Sequence, residues 1–171
     1  MTTERKLQDV LAKRRIEEVA FRYCRAIDRC DEELLLTTFH EDAQVDMGVY
    51  VGPAREFAHF VMPYMRDNLS VAIHRLTNVL IEVDGDRAKV ESYMPGCAIG
   101  ATPNGLTDFP DVMRYLDRFE RRGGEWRISF RRLVMDWNAG FPSTMSEGDV
   151  FAQMVRGRRD KQDPSYGYLT R

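Results

Sequence analysis

The stretch AIHRLTNVLIEVDGDRAKV, residues 72–90, decides how the chain is read. Two runs rich in apolar and β-branched residues meet at Asp84, Gly85 and Asp86, the chemistry of a tight β-hairpin. Period-two alternation puts Ala72, His74, Leu76, Asn78 and Leu80 on one face of the first strand. Ile73, Arg75, Thr77, Val79, Ile81 and Val83 fall on the other. A histidine and an asparagine therefore look the same way from a strand otherwise suited to packing.

Downstream the pattern repeats. Strands at about 71–83 and 86–99 are followed by strands at about 109–122 and 125–137, the latter pair joined by Gly123 and Gly124. Upstream the period is that of helices. From Arg5 to Ile27 the apolar residues keep three-and-four spacing, giving a first helix with a wide buried face. Asp31, with Glu32 and Glu33 in the first turn, caps a short second helix ending near Phe39. Residues 43–52 alternate and turn at Gly48, and Pro53 opens a third helix through about Met65, on which Phe57, Phe60, Val61 and Tyr64 recur. Helices first and a long meander after them predict an α+β fold. It is a cone-shaped barrel, with N-terminal helices packed on a strongly curved, mainly antiparallel sheet. Residues 1–138 form this domain. Residues 139–171 read as a lid or oligomerisation arm with one short helix around 147–156, because they carry Phe141, Phe151, Met154, Tyr166 and other apolar groups that need cover.

Bulk properties narrow the partners. With 171 residues, the chain builds one well-buried core. Its 25 Lys and Arg against 27 Asp and Glu, a net charge of -2, suggest neither a nucleic-acid nor an anionic-membrane surface. The basic run at 118–132 is broken by acids and by apolar residues at strand spacing, as on a solvated sheet face. Cys24, Cys30 and Cys97 show no metal-ligand spacing, so free thiols and no metal are expected. The amino-terminal segment is charged throughout, and no apolar run approaches the roughly 18 residues of a membrane span. The expectation is a soluble, cytoplasmic protein. The sheet face of Ile73, Thr77, Val79, Ile81 and Val83 is too apolar for water if helices cover only the other side, which predicts a homodimer or homotrimer.

A curved sheet closed by helices encloses an apolar interior, the default ligand site. His74 and Asn78 enter it from the sheet. Asp28 falls on the apolar side of the first helix and needs a partner there, as does the hydroxyl of Tyr23. Met94, Met113 and Met135, together with Tyr115 and with Phe57, Phe60 and Tyr64 of the third helix, suit a pocket for a bulky apolar substrate. Arg131 stands between Ser129 and Leu133 and by default is a surface or salt-bridge arginine.

The runs RRIEEVAFRYCRAIDRCDEELLLTTFHEDAQVD, IHRLTNVLIEVDGDRAKVESY and MRYLDRFERRGGEWRISFRRLVMDW together resemble the SnoaL-like group of the nuclear-transport-factor-2-like superfamily, over about residues 7–138. The group includes scytalone dehydratase, bile-acid 7α-dehydratase, hexachlorocyclohexane dehydrochlorinase and polyketide cyclases. The resemblance implies a histidine–aspartate pair within the cone, carried here by His74 and Asp28. Tyr23 falls where one dehydratase of the group has tyrosine, and Arg131 matches an inward arginine on the last strand. Where many relatives read GRY, this chain has Met113, Arg114 and Tyr115.

The resemblance thus implies a lyase without a cofactor, a dehydratase acting on a small or mid-sized apolar hydroxy or carbonyl compound. His74 is then the base, Asp28 fixes its tautomer, Tyr23 donates to the developing oxyanion, Arg131 holds an anionic group and Asn78 orients the substrate oxygen. The alternatives are a cyclase-like or isomerase activity, a non-catalytic binding module, and a structural subunit like the β-subunit of ring-hydroxylating dioxygenases. A contact between His74 and Asp28 separates the first two catalytic readings from the last two.

Overall fold

A computed structural model describes residues 2–146 and 148–169. Helix α1 (Thr3–Asp28) starts at Thr2, whose hydroxyl accepts the Arg5 N–H at 3.3 Å, and buries Ile16, Val19, Ala20, Tyr23, Cys24 and Ile27 along one stripe. It runs one residue past the expected end and so includes Asp28. Helix α2 (Glu32–Thr37) is capped by the Asp31 carboxylate, which accepts the Leu34 N–H at 3.1 Å. Helix α3 (Ala54–Asn68) follows Pro53 as anticipated and buries Phe57, Ala58, Met62 and Met65.

Among the described residues, eight strands make one curved, open, mostly antiparallel sheet: β1 (Phe39–Asp46), β2 (Val51–Pro53), β3 (Leu69–His74), β4 (Val79–Asp84), β5 (Arg87–Thr102), β6 (Gly105–Arg122), β7 (Glu125–Asn138) and β8 (Phe141–Pro142). The order along the sheet is β2-β1-β7-β6-β5-β3. Strand β4 also pairs with β5, and β8 with β6. β1 runs parallel to β7 and begins at Phe39, four residues before the expected strand. The core lies between α1, α3 and the concave face of the sheet, where Met94, Tyr115, Phe119 and Ile128 are fully buried. The α+β cone read from the sequence is the observed fold.

One departure matters for the site. The expected strand over 71–83 is two strands, and their registers on β5 differ by one residue. His74 pairs with Gly96, whereas Val79 pairs with Ser92. An extra residue in 75–78 accounts for the step, and a one-residue slip sends every later side chain to the opposite face. Val79, Ile81 and Val83 consequently turn inward, with Ile81 buried, and Leu80 turns outward. The apolar assembly face expected from Ile73, Thr77, Val79, Ile81 and Val83 is therefore not formed by those five residues. Asn78 leaves the His74 face as well. It sits exposed in the connection, its backbone carbonyl accepting the Tyr93 N–H at 2.9 Å.

The tail is a clasp on the helical layer. In place of the expected helix around 147–156 there is a 3-10 turn over Asp149–Gln153, and Glu147 lies outside the described residues. Helix α4 (Ser165–Tyr168) packs near the junction of α1 and α2, where Tyr166 donates to Asp31 at 2.6 Å and Lys161 reaches the same carboxylate at 2.8 Å. The last two residues of the tail lie outside the described residues. Among the described residues, no helix is long and apolar enough to cross a membrane.

Candidate active site

Helix α1 and strand β3 bring Asp28 and His74 together across 46 residues of chain. The ring Nδ1 of His74 stands 2.6 Å from Asp28 Oδ1. The His74 backbone N–H also points at that carboxylate, 3.1 Å from each oxygen. One carboxylate thus grips both the ring and the backbone of the same residue. An ionised Asp28 requires Nδ1 to carry the proton, which leaves Nε2 with a free lone pair. Both side chains are mostly buried, at 17% exposure for His74 and 13% for Asp28. A groove of about 1030 Å³ opens on the pair, walled by Phe21, Cys24 and Arg25 of α1, Leu34 of α2 and Leu76 of the β3–β4 connection.

Deeper in the cone, Arg131 is completely buried between two aromatic rings. Its guanidinium carbon lies 3.9 Å from the Tyr23 ring centroid and 4.0 Å from that of Tyr115. Nε and Nη2 make a bidentate pair with Asp117 at 2.8 and 2.6 Å. Burial disfavours the charge on Arg131, but the Asp117 carboxylate outweighs it and holds the group protonated. Of its nitrogens, Nη1 has no hydrogen-bond partner among the described residues. Arg131 thus turns inward, as the resemblance implied, but its charge is already balanced. It can offer one donor; it is not a bare cation waiting for an anion. Burial raises the Tyr23 phenol above its ordinary value against the opposing Arg131 charge, so Tyr23 remains a hydrogen-bond donor. Burial likewise pushes the Cys24 thiol up to about 12, which leaves it inert.

The expected pocket residues scatter. Met94 and Phe57 are core, and Tyr115 is stacked on Arg131. Met113 and Met135 pair directly across β6 and β7, half-buried and exposed respectively. Phe60 and Tyr64 lie at 49% and 56% exposure, outside the concave core, because α3 turns Phe57 rather than these two toward the sheet. Asn78 is removed by the register step.

Two acids escaped the sequence reading. Asp117 could not be found from the Gly123–Gly124 turn alone, because a register shift between Arg118 and Phe119 moves the β6–β7 pairing by one residue before Asp117 meets Arg131. Asp111 lies two positions before Met113 on the concave face of β6, directly across from Gly96, which is itself directly across from His74. Its Oδ1 is buried without a hydrogen-bond partner. Burial lifts its carboxyl above the usual carboxylate range, opposed by His74 when that ring is protonated and by the Gly96 N–H. Among the described residues, no three His, Cys, Asp or Glu side chains are grouped to hold a metal ion.

Comparison with known proteins agrees with this geometry at the level of fold. A family model described as a SnoaL-like domain matches residues 8–132. No curated protein matches the chain in sequence. A scytalone dehydratase-like protein from Novosphingobium aromaticivorans superposes with a TM-score of 0.69 at 20% identity, covering 79% of this chain and 91% of its own. A hexachlorocyclohexane dehydrochlorinase from Novosphingobium barchaimii gives 0.68 at 20% identity, over 80% and 94% of the two chains. A protein of unknown function from Mycobacterium tuberculosis gives 0.63 at 28% identity, over 80% and 76%.

Proposed function

The chain belongs to the SnoaL-like domain family, and we propose that within it this protein is a lyase, a dehydratase in which His74 and Asp28 remove a proton from carbon. The observation that carries the reading is the 2.6 Å contact between Nδ1 and Asp28. It prepares a neutral imidazole whose Nε2 can accept a proton, and it places a carboxylate where the resulting imidazolium needs counter-charge. A substrate with a carbonyl beside the reacting carbon fits this machinery, since the carbonyl acidifies the C–H bond and takes up the electrons as an enolate. To such an oxygen we assign Tyr23 and Nη1 of Arg131 as donors, both of which lie buried deeper in the cone than the groove walls. The apolar groove walls at Phe21, Leu34 and Leu76 suit an aryl or alicyclic body. Solved relatives whose names specify a dehydratase and a dehydrochlorinase, both eliminations, favour the same reaction class.

A β-hydroxy aryl ketone in deuterated water tests this. Wild-type protein is expected to exchange the hydrogen beside the carbonyl and to yield a product lighter by one water, and His74→Ala to do neither. Exchange with a product of unchanged mass would point to isomerisation or ring closure instead. If wild-type protein neither exchanged nor eliminated, the proposed reaction would be wrong.

A further inference from the structure

His74, Gly96 and Asp111 lie straight across three neighbouring strands, β3, β5 and β6. Directly paired residues of antiparallel strands project to the same face, so His74 and Asp111 flank a position that has no side chain. Asp111 leans into that opening, because its Oδ1 stands only 2.8 Å from where a Cβ on Gly96 would be. The oxygen is buried and has no hydrogen-bond partner among the described residues, although the nearby Gly96 N–H favours the charged carboxyl. A buried acceptor without a donor is costly for a carboxylate and far less so for a carboxylic acid. Strands spaced about 4.8 Å apart set the two backbones roughly 10 Å from each other, a span that an imidazole and a carboxyl can close around one small group.

We propose that Asp111 is the acid partner of His74, giving its proton to the leaving oxygen of the substrate across Gly96. This rests on the elimination reading above and narrows it to substrates with a poor, oxygen-based leaving group. The proton balance is complete. Nε2 of His74 takes the proton from carbon, and the C–H electron pair becomes the new double bond. The C–O bond breaks toward oxygen, which takes the Asp111 proton and departs as water. Imidazolium and carboxylate remain, and transfer of one proton from His74 to Asp111 restores both. Burial, which lifts the Asp111 carboxyl, favours the protonated form that this step requires. A leaving halide or phenolate needs no such proton, so Asp111 distinguishes a dehydratase from a machine for eliminating good leaving groups.

The test uses two aryl ketones identical except at the β-carbon, one bearing hydroxyl and the other para-nitrophenoxy. Asp111→Asn, checked for folding by its thermal melt, is expected to lose about a hundredfold in kcat on the hydroxy ketone and to stay within about threefold of wild type on the nitrophenoxy ketone. His74→Ala should lose both. Should Asp111→Asn fail to fold, Asp111→Ser is read in the same way. Equal losses on the two ketones, or none on either, would overturn the role of Asp111 while leaving the His74 base standing. If wild-type protein turned over neither ketone, or His74→Ala retained both rates, the elimination reading would fail and this inference with it.

Discussion

Asp28 holds His74 by the ring and by the backbone together, so its carboxylate sets both the tautomer and the position of the base. Asp28→Asn is expected to lower kcat on a hydroxy ketone by about two to four orders of magnitude while the thermal melt changes little, and His74→Ala to do the same. The double variant should be hardly slower than either single one, since the two residues act as a unit. Additive losses in steady-state kinetics would mean that they work separately. Arg131 and Asp117 make the opposite kind of pair, fully buried and mutually neutralised. Asp117→Ala leaves a guanidinium without its counter-ion between two rings and should cost about 3–5 kcal/mol in urea unfolding. Replacing both partners by apolar residues of similar volume should recover most of that loss. Failure of the double variant to recover would assign the pair a packing role beyond charge. The sequence disclosed these residues unevenly. His74 and Asp28 were visible as a pair only through their resemblance to a family, because a lone strand histidine and a helix-terminal aspartate have ordinary structural explanations. Asp111 and Asp117 were hidden because their meaning lies in cross-strand register, which alternation along one strand does not reveal.

At the scale of elements, the step between β3 and β4 governs what the sheet shows to either side. Turn chemistry at Gly85 and at Gly123–Gly124 made both hairpins legible, since positive φ at those glycines is what tight turns demand. The segment Arg75–Asn78 gave no such signal, lacking both glycine and proline. A continuous alternation therefore ran through it and assigned the residues from Asn78 onward to the wrong face. The parallel pairing of β1 with β7 was likewise invisible, as nothing local marks a strand's distant partner. The register can be checked by two charges placed one residue apart. Ile81→Asp puts a carboxylate into the core and should destabilise by several kcal/mol, enough to lower expression or abolish the folding transition. Leu80→Asp, at 65% exposure, should stay within about 0.5 kcal/mol of wild type. The reverse order in chemical denaturation would restore the unbroken strand.

For the molecule as a whole, the tail links the stability of the fold to the geometry of the dyad. Arg159 donates to the carbonyls of Met65 at 2.5 Å, Leu69 at 2.6 Å and Asp28 at 3.2 Å, tying the ends of α3 and α1 to the start of β3. The carbonyl of Asp28 and the strand that carries His74 are thus held by one side chain from 85 or more residues away in sequence, the separation being 90 residues for Leu69 and 131 for Asp28. Two carboxylates keep the tail in place. Burial alone would raise Asp31, but hydrogen bonds from Lys161 and Tyr166 outweigh it and lower the group. Burial opposes Asp163 as well, yet the Ser165 hydroxyl, the backbone N–H groups of Arg158 and Ser165, and the Arg29 charge hold it well below the usual carboxylate range. A carboxylate whose pKa is depressed on folding contributes stability that is fully present above its unfolded value, about 3.9, and is lost as pH falls through the folded one. The clasp should therefore be intact near neutrality and weaken below about pH 4. Hydrogen exchange across residues 158–168, corrected for the intrinsic rate, is expected to lose protection in that range before the β5–β6–β7 sheet does. Asp163→Asn should reduce protection of the tail already at neutral pH and flatten its acid dependence. If the tail and the sheet lost protection at the same pH in both proteins, Asp31 and Asp163 would not be what holds the clasp, and the link from tail to dyad would have to run through Arg159 alone.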